Sequence, residues 1–196
     1  MWVYALNVGN LFIFVIKLKI FLTMVYFTSD LHFGHEKLCK GLRGMSAEES
    51  DKLIIENWNK IITKHDTVYI LGDITMEKHQ KIEEYLKQLK GDIVIIGGNH
   101  DKRRCCKEFQ RLGIQVLGCM KYKGFICSHI PLHPDCVAEC RGNIHGHIHL
   151  KGDIEGYGPY EPKPIEGRYY NVCCELHDYK PVPFEEIVKY FENKGY

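Results

Sequence analysis

The chain has 196 residues, 45% of them hydrophobic and 26% charged, with a formal charge of only +1 at pH 7. That balance excludes a disordered chain and an overall basic nucleic-acid binder, and the length suits a single core of ordinary size. Nine cysteines fall as the doublets Cys105-Cys106 and Cys173-Cys174 plus singles, without the spaced pairs of a disulfide framework or zinc finger, so reduced thiols in a cytoplasmic protein are expected.

In chain order, residues 1–23 come first, apolar but broken by Asn7, Gly9, Asn10, Lys17 and Lys19. The uninterrupted run Leu11 to Ile16 is far short of a membrane span, and no basic residue precedes it as a signal peptide requires. The stretch reads as an extension ahead of a domain over 24–196, with Met24 the preferred start, and no membrane partner is expected. Next, "MVYFTSDLHFGH" is a β-rich run ending in polar residues, and "TVYILGD" at 67–73 and "DIVIIGGNHD" at 92–101 repeat the design. Glycine permits tight turns, so Gly97 and Gly98 read as a device that presents Asn99, His100 and Asp101 at a strand tip.

Between the first two strands, Ser46 with Glu49 has the spacing of a capping box, and Leu53, Ile54, Trp58, Ile61 and Ile62 recur at helical spacing as a core stripe. Between the second and third, Ile82, Tyr85, Leu86 and Leu89 mark a second helix stopped by Gly91. Strands alternating with helices predict a mostly parallel sheet covered on both faces. Beyond Gly113, short β-like runs with close turns predict a more antiparallel second sheet, a Gly/Pro-rich loop from Gly152 to Gly167 and a last helix over Phe184 to Asn193.

The strand tips carry a consistent donor set: Asp30 and His32, Asp73, Asn99 with His100, His129, then His147 and His149. One histidine beside a strand is more often a hydrogen-bonded structural residue than a ligand. Five such sets in one chain change that balance. Residues i and i+2 of a strand share a face, so Asp30/His32 and His147/His149 each read as two ligands aimed at one point. Imidazole, carboxylate and amide oxygen without thiolate suit Mn, Fe, Co, Ni or Zn. Leaving His100 aside, seven donors exceed a closed structural zinc site and suit two ions bridged by a carboxylate.

D-x-H at Asp30 to His32, G-D at Gly72-Asp73, G-N-H-D at Gly98 to Asp101, S-H at Ser128-His129 and G-H-x-H at Gly146 to His149 resemble, in order, the five blocks of the calcineurin-like metallophosphoesterases. Within that superfamily the chain is most similar to the small phage-type and bacterial phosphoesterases. The resemblance implies a four-layer α/β sandwich of two mixed β-sheets flanked by helices. It implies Asp30, His32 and His149 on one divalent ion, Asn99, His129 and His147 on the other, and Asp73 between them, with manganese the expected metal. Its nucleophile would be a hydroxide between the metals, and His100 would protonate the leaving oxygen, making His100 and Asp73 the catalytic pair. "GDITMEKH" lacks the arginine of the protein phosphatases, and short loops leave little room for the capping domains of DNA-end nucleases.

The expected reaction is hydrolysis of a phosphomonoester or phosphodiester in a small, nucleotide-type substrate, with no stable nucleic-acid complex. His35, Arg43, Asn99 and His100 are the candidates for substrate contact. Asp101 reads as an orienting or capping carboxylate, Lys102 to Arg104 as a solvated first helical turn, and His133 and His145 as residues behind or beside the ligands. An inactive interaction scaffold on the same fold would be expected to have lost ligands, and none is missing.

Overall fold

Residues 3–8, 11–16, 23–77, 79–154, 158–161 and 167–196 are described by the structure, a computed structural model. Near the start, β1 (Val3–Val8) and β2 (Leu11–Ile16) pair as an antiparallel hairpin. Among the described residues no helix is long and apolar enough to cross a membrane.

The first half then alternates strand and helix. β3 (Val25–Thr28) leads through the short α1 (Glu36–Leu38) and a π-helical turn, Cys39–Arg43, to α2 (Ala47–Ile61). β4 (Thr67–Ile70), α3 (Ile82–Leu86), β5 (Asp92–Ile96), α4 (Arg103–Arg111) and β6 (Gln115–Leu117) follow. The four strands pair in parallel, each joined to the next by a crossover through a helix. Side chains alternate between two destinations. Tyr26, Val68, Ile70 and Ile95 pack with Ile54, Trp58, Ile62, Leu86 and Phe109 on the helical side, while Phe27, Leu71 and Ile96 face a second sheet. At the start of α2, Ser46 Oγ accepts from the Glu49 N–H at 3.2 Å and Glu49 Oε2 accepts from the Ser46 N–H at 2.8 Å, a complete capping box.

The second sheet takes β7 (Cys119–Tyr122), β8 (Phe125–Ser128), β9 (Gly142–His145) and β12 (Tyr169–Asn171) in the order β12-β9-β8-β7. It is less antiparallel than the sequence suggests. Only β7–β8 is antiparallel, closed by Lys123 and Gly124 at φ 44° and 88°; β8–β9 and β9–β12 are parallel. The residues after β8, including α5 (Pro134–Val137), and those after β9 are long enough to carry the chain back for parallel pairing. The segment read as a Gly/Pro-rich loop contains β10 (Gly152–Ile154) paired antiparallel with β11 (Gly158–Tyr160). Val137 and Cys140 cover the outer face beside Tyr169, and α6 (Phe184–Asn193) sends Phe184, Ile187 and Phe191 between the sheets. β13 (Val182–Pro183) completes the first sheet antiparallel to β3. The result is two mixed sheets flanked by helices.

Ser29, just past β3, bridges in parallel to Cys173, just past β12, so both sheets present the carboxyl ends of their parallel strands at one edge. Asp66 secures the opposite end. Its carboxylate accepts from the Thr63 N–H and hydroxyl, both at 2.7 Å, and from the Met24 N–H at 3.0 Å. Burial acts to raise its pKa, but the Thr63 and Met24 bonds outweigh it and hold the carboxyl below the ordinary value. A depressed carboxylate stabilises the fold above its unfolded pKa of about 4, and that stability is lost as pH falls through the folded value. Asp66→Ala is therefore expected to cost about 1–3 kcal/mol in urea unfolding at pH 7 and markedly less at pH 2. An equal cost at both pH values would contradict the assignment.

Candidate metal centre

At the shared edge the backbone leaves the strands in an uncommon way. Asp30, His32, Asp73 and His147 all adopt positive φ, at 57°, 48°, 55° and 70°. The left-handed conformation costs a non-glycine residue about 1–3 kcal/mol and is held only where the surroundings enforce it. Strand alternation therefore does not aim these side chains. Asp30 and His32 lie beyond β3 and converge through two left-handed residues. His147 and His149, which the i, i+2 spacing alone would aim at one point, divide between two groups as the family blocks imply, because the turn at His147 reorients the chain between them.

The first group is Asp30, His32 and His149. Asp30 Oδ2 accepts from the His147 N–H at 2.8 Å and the Cys173 thiol at 3.1 Å. Its other oxygen faces His32 Nε2 at 3.8 Å and His149 Nε2 at 3.4 Å. Asp30 Oδ1 and both His32 ring nitrogens are buried without a hydrogen-bond partner. Native interiors seldom tolerate this unless something else fills the space. Burial, reinforced by His149 and Arg43, pushes the His32 pKa well below its ordinary value, leaving a neutral imidazole.

The second group is Asp73, His129 and His147. His129 Nδ1 lies 2.7 Å from the Leu71 carbonyl, which can only accept, so Nδ1 carries hydrogen and Nε2 points inward. There Nε2 meets Asn99 Oδ1 at 2.7 Å and Asp73 Oδ2 at 3.4 Å. Three lone pairs converging on one point attract a cation. Burial opposes charge on His129, yet the Asp73 bond and the Asp30 and Asp73 charges push its pKa up to about 9. A divalent ion satisfies the same demand with the proton displaced. Asp73 Oδ2 also lies 3.6 Å from His32 Nε2, so a single oxygen faces a histidine of each group.

The surrounding residues explain how these groups are held. Gly98 has no positive φ; it is needed for close approach, since a Cβ there would fall against Asp73 Oδ1 and within 2.5 Å of the Asp73 backbone nitrogen. Gly98→Ala is thus expected to weaken Mn(II) binding by about 10–100-fold in a calorimetric titration, and unchanged affinity would refute the packing argument. Asp101 neither orients a histidine nor caps α4. Its carboxylate accepts from the Asp73, Ile74 and Gly98 N–H groups at 2.8, 3.2 and 2.9 Å, tying two ligand loops together.

His100 donates its backbone N–H to Asp73 Oδ1 at 2.8 Å, and its ring, 39% exposed, sits with Nε2 3.9 Å from Asp73 Oδ2. Asn99 is exposed beside it. His35 stands next to His32, ring centroids 5.3 Å apart, with Nδ1 buried and unpartnered. Arg43 is a correction. Its guanidinium, read as a candidate substrate contact, is buried and engaged with Glu175, Ser50 and the carbonyls of Asp30 and Leu31. His133 caps α5 at the surface, where its Nδ1 accepts from the Asp135 N–H. His145 is buried, with Nδ1 against the Gly146 carbonyl.

Two residues at the centre were not singled out from the sequence. Glu175 Oε1 lies 3.0 Å from His149 Nδ1, and Cys173 forms a further group with His149 and Glu175. Burial acts to raise the Glu175 pKa, but His149 and Arg43 hold it at about 2. Both residues follow β12 in "NVCCELH", where no spacing links them to His149; only the bridge from Ser29 to Cys173 brings them in.

The chain is similar to known proteins over most of its length. The chain matches the Calcineurin-like phosphoesterase family over residues 23–183. An uncharacterized protein of Methanocaldococcus jannaschii is 35% identical over 172 residues, covering 86% of this chain and 91% of the archaeal one. The Gene 66 protein of Mycobacterium phage D29 is 30% identical over 158 residues, 65% of this chain and 79% of the phage protein. The crystal structure of a protein of unknown function from Aquifex aeolicus superposes with a TM-score of 0.64 at 27% identity, covering 86% of this chain and 99% of that one. With a family match across most of its length and an archaeal relative aligned nearly end to end, the chain belongs to the calcineurin-like phosphoesterases.

Proposed function

We propose that this protein is a two-cation phosphoesterase that hydrolyses mono- or diesters of small, nucleotide-type substrates. The observation that carries the reading is Asp73 Oδ2, set 3.6 Å from a histidine of one group and 3.4 Å from a histidine of the other. The donors fit the ions: imidazole nitrogens and carboxylate oxygens, among them buried atoms without a partner, a set suited to Mn and also to Fe, Ni, Co or Zn. Asp30, His32 and His149 would hold one ion and Asn99, His129 and His147 the other, with Asp73 shared. Cations in such a site lower the pKa of bound water and neutralise phosphoryl charge.

The chain's own residues supply the rest. His100, fixed through its backbone to Asp73 and open to solvent on its ring, holds a proton for the leaving oxygen. The exposed Asn99 amide faces an incoming phosphoryl oxygen. Met76, Ile130 and Leu150 are exposed and each follows a donor residue within three positions, so they are the apolar side chains that would meet a base or aryl group. The test is hydrolysis of p-nitrophenyl and bis(p-nitrophenyl) phosphate by chelator-treated protein before and after adding metal. Turnover restored by Mn(II) is expected. No turnover with Mn, Fe, Ni, Co or Zn, on these esters or on cyclic nucleotides and short oligonucleotides, would overturn the reading.

A further inference from the structure

Arg43 and Glu175 form an ion pair with both side chains at 0% exposure, Nη2 to Oε1 2.9 Å apart. Two charges so deeply buried gain little stability from each other beyond what desolvation costs, so their placement points to another role. Their contacts supply it. Arg43 Nη2 donates to the Asp30 carbonyl at 2.7 Å and Nη1 to the Leu31 carbonyl at 3.0 Å. Those carbonyls belong to the turn that holds Asp30 and His32 at positive φ. Ser50 in α2 anchors the same guanidinium, its hydroxyl 2.8 Å from Nη1.

On the other side, Glu175 Oε1 accepts from Arg43 Nε at 3.1 Å and from His149 Nδ1 at 3.0 Å. A carboxylate only accepts, so His149 carries hydrogen on Nδ1 and turns the Nε2 lone pair toward Asp30 Oδ1, 3.4 Å away. One ion pair thus joins the Asp30–Leu31 backbone, which lies between two donors after β3, to the ring of a third after β9. The other group is built differently: His129 is oriented by the Leu71 carbonyl.

We infer that Arg43 and Glu175 are positioning residues for the Asp30–His32–His149 cation site alone, so that removing the pair weakens one of two sites and spares the Asp73–His129–His147 site. The inference rests on the two-cation reading above. The test is a calorimetric titration of metal-free full-length protein with Mn(II), comparing wild type with the double variant Arg43→Met/Glu175→Leu. Replacing both partners with apolar residues leaves no buried charge unpaired, so the double variant is expected to fold where Glu175→Leu alone fails. Wild type should bind two ions, and the double variant one ion as wild type and the second about 10–100-fold more weakly.

Two unchanged sites, or equal loss at both, overturns the inference while leaving the phosphoesterase reading intact. A wild type that binds fewer than two ions overturns both. Should the double variant not fold, long-range proton–nitrogen NMR of zinc-loaded wild type decides: a His149 ring protonated at Nδ1 and ligating through Nε2 supports the inference, and the reverse overturns it.

Discussion

Asp73→Asn is expected to lower kcat/KM on the order of 10³-fold, the equivalent of about 4 kcal/mol, while leaving the protein folded. The amide can keep its oxygen on the His100 N–H, which preserves the loop. It then turns an NH₂ toward His32 and His129, where a negative oxygen stood between two histidines. A donor facing two lone pairs repels a cation that the carboxylate attracts, so Mn(II) stoichiometry falls together with turnover. Activity assays on p-nitrophenyl phosphate, with a thermal melt as the folding control, check this. Activity within a few-fold of wild type would show that Asp73 is not shared between the groups.

The second large effect belongs to His100. His100→Ala is expected to lower kcat by about 10²–10⁴-fold on esters whose leaving oxygen needs a proton. The loss should be far smaller on p-nitrophenyl phosphate, because nitrophenolate leaves without help. Metal affinity and melting temperature should stay near wild type, since the ring comes no nearer to Asp73 Oδ2 than 3.9 Å, beyond hydrogen-bond range, and the backbone N–H that fixes Asp73 survives the change. Equal losses on alkyl and nitrophenyl esters would exclude proton donation and leave His100 a binding residue.

The parts of this molecule legible in the sequence are those that depend on near neighbours. The Ser46–Glu49 box, the stripe through Ile54 and Trp58, and α6 from Phe184 to Asn193 need only local spacing. The donor residues were legible too, because each sits at the end of an apolar run. Their grouping is implied only by the family blocks, because the i, i+2 spacing of His147 and His149 argues for a single shared point. It is decided by left-handed backbone at Asp30, His32, Asp73 and His147, which residue type alone does not announce. Arg43 looked like a loop cation, and Glu175 had no motif; their meeting across 132 positions is a product of the two sheets closing. The parallel β8–β9 and β9–β12 pairings escaped for a similar reason, since short β-like runs say nothing of the direction in which a partner returns.

Each donor group draws from both sheets: Asp30 and His32 with His149, and Asp73 with His129 and His147. The candidate centre is consequently also a seam, and an ion bound there would rivet the two halves of the sandwich at one edge. At a hundredfold excess over Kd, such an ion adds about 2.7 kcal/mol to the cohesion of that seam. Stripping the ions should loosen this edge first, while the helical side, gathered around Trp58 and Phe109, stays shut.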